Sequence, residues 1–419
     1  MTPPRAVSAL RHRNFRLFWT GQLISLVGTW MQTVAQGWLI WTLTNDPVAL
    51  GIAAACQFTP VLLFSLVGGV LADALPKRQT LLVTQTASLL LALVLGILVF
   101  THLVQVWHVY LLAVGLGLVN AVDMPVRQSF VVEMVGREDV ANAVALNSAV
   151  FNGARILGPS VAGILIALVG TALCFLLNAA SYLAVILAYL LMRDDELRPA
   201  ARIAVARTVR GVMAQLGEGL SYARTTPVVR LALLVLGITA TAGMNSSVIM
   251  PVFAEHVLHG DPTTLGFLLA ASGVGSLFAA LHIAAGLRPS LKLVVVAAVT
   301  LGVALVGLSQ VHQTILALPL MVVFGWSVIS MAATTNTLIQ LLVPDELRGR
   351  VMSIFTTVFA GSTPIGGLLV GSIAGLLGVG AALAFGGVVA LATAGAAALR
   401  VRAMADDADG VRPVAQGLR

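Results

Sequence analysis

Ionisable side chains are rare inside the apolar stretches of this 419-residue chain, and each one points to a definite kind of chemistry. Arg155 stands about fourteen residues into an apolar run at 141–168, close to where the middle of a bilayer would fall. A cation at that depth is costly and has to face a water-filled cavity or a partner. Its forked donors suit the anionic or polar atoms of a solute; the alternative is a structural pairing with a carbonyl or carboxylate nearby. Asp123 and Arg127 are four residues apart, so they share one helical face near the end of the preceding run. There they can carry a proton or form an ion-pair latch with Asp73, Arg348 and Arg350. Glu255 and His256 close the run at 229–255, where they either take a proton from outside or mark the membrane edge.

Uncharged polar groups extend the set. Gln32 and Gln36 lie one turn apart, and Gln57, Asn147, Asn152, Asn245, Asn336 and Gln340 lie within other runs. Such amides line a cavity or hydrogen-bond between helices. Trp30, Trp38, Trp326, Met250, Met331 and Phe253 offer an adaptable aromatic and thioether lining, or simply pack. The inventory fits binding and proton handling, not bond-making. There is no phosphate loop, no glycine-rich dinucleotide turn, no metal-ligand spacing and no soluble domain to hold a catalytic site. Enzymatic activity, ATP hydrolysis and a cofactor are therefore not expected. Cys56 and Cys174 both lie in apolar segments and behave as small hydrophobes.

The elements that must position these groups follow from composition. The chain is 58% hydrophobic and 10% charged, with mean hydropathy +0.98. Soluble domains carry about 25% charged residues, so lipid has to be the solvent. The apolar runs reach twenty residues and more, which excludes the ten-residue alternation of a membrane β-barrel. They lie at about 15–42, 48–72, 79–101, 106–128, 141–168 and 172–192, then 229–255, 262–286, 291–309, 313–342, 350–376 and 380–400. This is an all-α membrane protein of twelve transmembrane helices. It divides into a six-helix bundle at 1–192, a linker at 193–228, a second six-helix bundle at 229–402 and a disordered tail at 403–419.

The net charge of +7 reports orientation and not a nucleic-acid partner. Arg5, Arg11, Arg13 and Arg16 precede the first run, which places the N-terminus in the cytoplasm. Alternating from there, Lys77, Arg78, Arg137, the linker arginines, Arg288, Arg348, Arg350, Arg400 and Arg402 all fall inside. The outer connections near Asn45, His102 to His108, Gly170, His256 to Asp261, His312 and Gly378 hold no Lys or Arg. Both termini are thus expected inside, and Glu133 and Glu138 are expected to be solvated there. Trp107 suits the interfacial aromatic belt. Within the linker, VRGVMAQLGEGLSYA spaces Val212, Leu216 and Leu220 at four-residue intervals, which predicts a short amphipathic helix at the inner surface.

An internal repeat links the halves. At an offset of 208, Phe151, Gly153, Gly158, Gly163 and Gly170 fall on Phe359, Gly361, Gly366, Gly371 and Gly378, and GRED at 136–139 falls on PDEL at 344–347. This is the pattern of a parallel duplication.

Several segments resemble one family. GVLADALPKR at 69–78 is similar to the signature loop of the major facilitator superfamily, departing from it at Ala74 and Pro76. The stretches at 121–163, 250–277 and 343–371, with the opening LRHRNFRLFWTGQLIS, resemble its enterobactin-exporter-like branch, which includes macrolide and multidrug exporters. The resemblance implies a secondary active transporter in the plasma (inner) membrane, a monomer that exports small amphipathic molecules by alternating access with proton antiport. A lysophospholipid flippase or an uncoupled facilitator would share the fold. It assigns Asp73 a gating role with Lys77 or Arg78 as substitute partners. Gly158, Pro159 and Gly163 in GPSVAG resemble an antiporter motif, read as a hinge or as a kink needed for packing.

Overall fold

The computed structural model describes residues 5–198, 209–285 and 289–416, and among them every regular element is helical. In lipid this is what the backbone demands, because a helix satisfies its own N–H and C=O groups. The helices are α1 (Arg13–Thr44), α2 (Pro47–Ala74), α3 (Lys77–Phe100), α4 (Val106–Val169), α5 (Thr171–Leu190), α6 (Val209–Thr225), α7 (Pro227–Gly243), α8 (Ser246–Val252), α9 (Pro262–Ala284), α10 (Leu291–Gln310), α11 (Thr314–Leu342), α12 (Asp345–Leu377) and α13 (Val379–Gln416). A π-helical turn, Phe253–Val257, continues α8.

Among the described residues, ten helical stretches are long and apolar enough to cross a membrane. One of them, α4, has 64 residues. At 1.5 Å per residue it would be about 96 Å long, roughly three times the hydrocarbon thickness. It is broken at Gly136, whose φ of 72° and ψ of 173° belong to a region essentially closed to residues with a side chain. Counting its halves separately and adding the more polar α1 gives twelve crossings, as the sequence predicts. The run at 229–255 is less regular than its hydropathy suggests. It breaks at Met244 and Asn245 between α7 and α8, and Asn245 donates to the carbonyl of Thr241 at 2.9 Å.

The repeat is visible in the backbone. α4 begins at 106 and ends at 169, while α11 begins at 314 and α12 ends at 377, all separated by the same 208 residues. Gly170 and Gly378 then turn the chain with matching angles, φ 82° and ψ 178° against φ 88° and ψ 163°. In the predicted inner linker, α6 is helical where the four-residue spacing predicts it; the side chains of Val212 and Leu216 lie outside the described ones. At the other end α13 continues to Gln416, through the alanine-rich stretch from Ala403 that the sequence suggests is disordered.

The described residues divide into two compact units, one within Met1–Ala206 and Ser246–Gly273, the other within Arg207–Asn245 and Val274–Arg419. The first therefore takes in α8, the π-helical turn and the first half of α9.

Candidate functional site

Arg155 lies in the second half of α4 and is half-buried in the first unit. Its guanidinium carbon sits 5.6 Å from the centre of the Trp30 ring, on α1, and Trp30 in turn meets Phe151 edge-on with ring centres 5.6 Å apart. Among the described residues no carboxylate pairs with Arg155. The group opens onto a cavity of about 60 Å³, lined also by Thr33, Pro159, Ser246 and Ser247. A water needs about 10–15 Å³ of such space, so the cavity holds small polar groups and not a whole drug-sized molecule. Cation, aromatic face and hydroxyls converge in a form suited to an acceptor-rich, partly aromatic solute.

The GPSVAG segment holds this wall together. A Cβ on Gly158 would stand 2.5 Å from that of Trp30 on α1, and one on Gly163 would stand 2.8 Å from the carbonyl of Pro262 at the start of α9. Gly266 closes on the Pro159 carbonyl in the same way, at 2.6 Å. The glycines thus let α1 and α9 pack backbone-close on either side of Arg155, while Pro159 sits within an unbroken helical stretch. Gly153 has open space around it.

Asp123 is 2% exposed and engaged inside the first unit. Its Oδ1 accepts from the Thr84 hydroxyl at 2.7 Å and from Gln85 at 2.8 Å, and its Oδ2 lies 3.2 Å from Arg127. Arg127 also donates to Gln22 at 3.0 Å. These contacts join α1, α3 and α4. Gln32 belongs to a second buried set, accepting from Asn178 of α5 at 2.6 Å, while Gln36, Trp38 and Gln57 are half-buried. Asn152 turns back on its own helix, donating to the Ser148 carbonyl at 2.8 Å.

At the end assigned to the outside, Trp41 of α1 is buried and donates its indole N–H to Glu255 in the π-helical turn. His256 lies edge-on to the same indole, ring centres 5.1 Å apart. Phe253 and Met250 are fully buried. Trp107 is exposed near the start of α4 and donates to Gln105 at 2.7 Å.

The inner end is bound by charge. Lys77 pairs with Glu133 at 2.6 Å, each side chain only 13% exposed, so Glu133 is not the solvated carboxylate that its place in a polar loop suggests. Arg78 is committed as well, to Asp194 at 2.6 Å and to the carbonyls of Tyr189 and Leu190. Both of the cations expected beside Asp73 thus have other partners; the Asp73 side chain lies outside the described ones. Asp139 accepts from Ser8 at 2.7 Å and from His12 at 2.8 Å, with Arg11 at 2.8 Å. The His12 and Ser8 hydrogen bonds, with the Arg11 charge added, hold its carboxyl below the usual carboxylate range.

In the second unit, Arg350 pairs with Glu218 of α6, and the Tyr222 hydroxyl donates to the Leu342 carbonyl at 3.2 Å. Arg348 donates to the carbonyl of Val343 at 3.4 Å. Asn336 accepts from Gln340 one turn along α11, and Trp326 is half-buried on the same helix. Met331 is buried and its sulfur accepts from Thr239 at 3.1 Å.

Sequence reasoning passes over Thr84, Gln85, Trp41 and Asp139. Thr84 and Gln85 carry a signal, two adjacent polar residues inside an apolar run. Trp41 carries none, because an indole at a helix end is equally at home in the interfacial belt.

A family profile described as "transmembrane secretion effector" matches residues 5–416. Among curated proteins, the staphyloferrin A transporter of Staphylococcus aureus is 24% identical over 87% of this chain and 90% of its own length. The multidrug efflux pump Tap of Mycolicibacterium fortuitum is 29% identical over 84% and 87%. The enterobactin exporter EntS of Escherichia coli is 23% identical over 87% and 86%. Among solved structures, the nucleoside transporter NupG superposes with a TM-score of 0.70 at 12% identity, over 94% of this chain and 98% of that one. At that identity the likeness is one of fold.

Proposed function

From the premise that the chain belongs to the transmembrane secretion effector family of major facilitator transporters, as a multi-pass membrane protein, we propose that it exports small amphipathic molecules across the inner membrane by alternating access, driven by inward movement of protons. The bundles 1–192 and 229–402 rock about a central cavity, with the linker 193–228 and both termini on the cytoplasmic side. The protein works as a monomer. The names of its relatives as exporters of siderophores and drugs support the direction of transport.

One observation carries the substrate reading: a half-buried guanidinium without a carboxylate partner among the described residues, laid beside an indole at a hydroxyl-lined cavity. Leaving a cation so placed is unfavourable unless a ligand completes it. Arg155 supplies the charge, Trp30 and Phe151 the aromatic surface, and Gly158, Pro159 and Gly163 the joint about which the wall flexes. Asp123, with its three donors, braces the first bundle.

The test is transport of a panel of siderophores and dyes in proteoliposomes, with and without an imposed proton gradient. Gradient-driven transport by the wild type, reduced about 10- to 100-fold by Arg155→Ala, is expected, the loss of one charge-assisted interaction. Undiminished transport in Arg155→Ala removes that residue from the site. Movement of labelled lysophospholipid with no transport of the panel would make the protein a flippase.

A further inference from the structure

Among the described residues, two carboxylates lie inside the apolar runs, and their surroundings differ in kind. Asp123 accepts from Thr84 and Gln85 and is matched by the cation of Arg127. Glu255 is half-buried, accepts from the neutral indole of Trp41, and has no cationic ion-pair partner among the described residues. It sits in a π-helical turn, a rare conformation frequent at functional sites. Trp41 belongs to α1 and Glu255 to the segment that follows α8, so this hydrogen bond ties α1 to a piece of chain far along the sequence.

We infer that Glu255 is a proton-binding site of the transport cycle, and that proton uptake from outside favours closure of the outer face against Trp41. The inference rests on the export reading above for its place in the cycle, but not for its test. When the outer face opens, Glu255 parts from Trp41 and meets water. Closing returns it to a half-buried position. Among the described residues no cation offsets an ionised carboxylate there. A neutral carboxyl needs none and still accepts the indole N–H through its carbonyl oxygen, so the proton favours the closed form. In an exporter this is the useful sign: cargo leaves outward, a proton binds, the outer face closes, and the carrier resets with the proton aboard.

The titratable groups around it are few. The π-helical turn continues α8, and α8 packs on α1 and α2. The outer half of α1 carries no ionisable residue, and α2 and the loop before it bring Cys56 and Asp46. His256 lies on the turn itself, exposed and edge-on to Trp41, with His259 and Asp261 just beyond. His256 is the nearest neighbour able to gain a positive charge beside Glu255, and it needs its own control.

The experiment needs no known cargo. In full-length protein with Cys56 and Cys174 replaced by serine, Ser247→Cys on the cavity wall is labelled from outside with a membrane-impermeant maleimide between pH 5.5 and pH 8, rates being corrected for thiolate fraction with a free thiol. In this background labelling should slow at least about fivefold toward low pH, as an about 1 kcal/mol shift requires. Glu255→Gln should be slow throughout, without pH dependence. Trp41→Phe, which keeps a ring and removes the N–H, should steepen the dependence, and His256→Gln should leave it. Unchanged pH dependence in Glu255→Gln, its loss in His256→Gln, or none in the parent overturns the inference. Should the panel in proteoliposomes show no transport while the labelling behaves as expected, the export reading fails and the proton site stands.

Discussion

The helix pair in Val106–Val169 and its copy in Thr314–Leu377 share length, ends and the glycine that follows each, yet almost none of their chemistry. At the offset of 208, Asp123 becomes Met331, Arg127 becomes Thr335 and Arg155 becomes Thr363. Glu133 and Asp139 become Leu341 and Leu347. Even the inner break is made differently, by Gly136 in a conformation reserved for glycine and by Pro344 at φ −53°. Backbone devices survived the duplication where they set helix length, because a displaced turn would move an entire span out of register with the bilayer. Charges were free to segregate, and they gathered in the first unit. The first copy therefore holds the groups that can bind and bear charge, and the second offers a mostly apolar counterpart.

The sharpest break of that asymmetry is Asp123→Ala against Met331→Leu. Removing a buried partner leaves Arg127, Thr84 and Gln85 without their shared acceptor, and a cost of about 3–5 kcal/mol is expected. The volume-conserving change at Met331 should cost less than about 1.5 kcal/mol. Thermal unfolding in detergent measures both. Equal losses would show that the buried network is not what steadies the first unit.

Next in size is Arg155→Ala against Thr363→Ala. If binding chemistry resides in the first copy, transport falls about 10- to 100-fold in the former. It stays within about twofold in the latter, a small change of side chain for which small effects are the rule. Parallel losses in the proteoliposome assay would mean that both copies line the cargo path equally.

Much of this architecture is legible in the amino-acid sequence. Twelve apolar runs, the arginine bias and the offset of 208 are long-range, redundant signals, and they carry the fold. The break at Asn245 escapes, since Met244 and Asn245 change the local hydropathy too little to register in a twenty-residue run. Partnerships are the harder part. Glu133 sits in a polar stretch and reads as solvated, but Lys77 reaches it from the start of α3. Sequence shows the charge of such a residue and not what the neighbouring helix brings to it.

The two inner breaks make a smaller contrast. Gly136→Ala places a Cβ where φ is 72°, for which strain of about 1–3 kcal/mol is expected. The terminal nitrogen of Arg198, which would crowd that Cβ, can swing aside. Pro344→Ala, exposed and at an angle most residues adopt, should cost less than about 1 kcal/mol, the entropy the unfolded chain regains. A comparable loss at both positions, again by thermal unfolding, would mean that the first copy does not depend on its glycine.

The smallest expected effect concerns Asp139, where the second copy has Leu347. The carboxylate gathers Ser8, Arg11 and His12, and so ties the N-terminal segment to the junction within α4. Its folded value is lowered from 3.8, first by the His12 hydrogen bond and then by that from Ser8. A depressed carboxylate contributes its full stabilisation above the unfolded value and loses it as pH falls through the folded one. The clasp should therefore hold unchanged from pH 8 to 5 as far as Asp139 is concerned, and loosen only below 3.8. A spin label at Ala6→Cys, with Cys56 and Cys174 replaced, reports this as a gain in mobility confined to that acid range. Asp139→Asn should loosen the segment at every pH by about 1 kcal/mol, because a neutral amide accepts more weakly from Arg11 and His12. Mobility that instead changes between pH 8 and 5 would mean that the clasp does not depend on Asp139, and leave the acid of the first copy with no advantage over the leucine of the second.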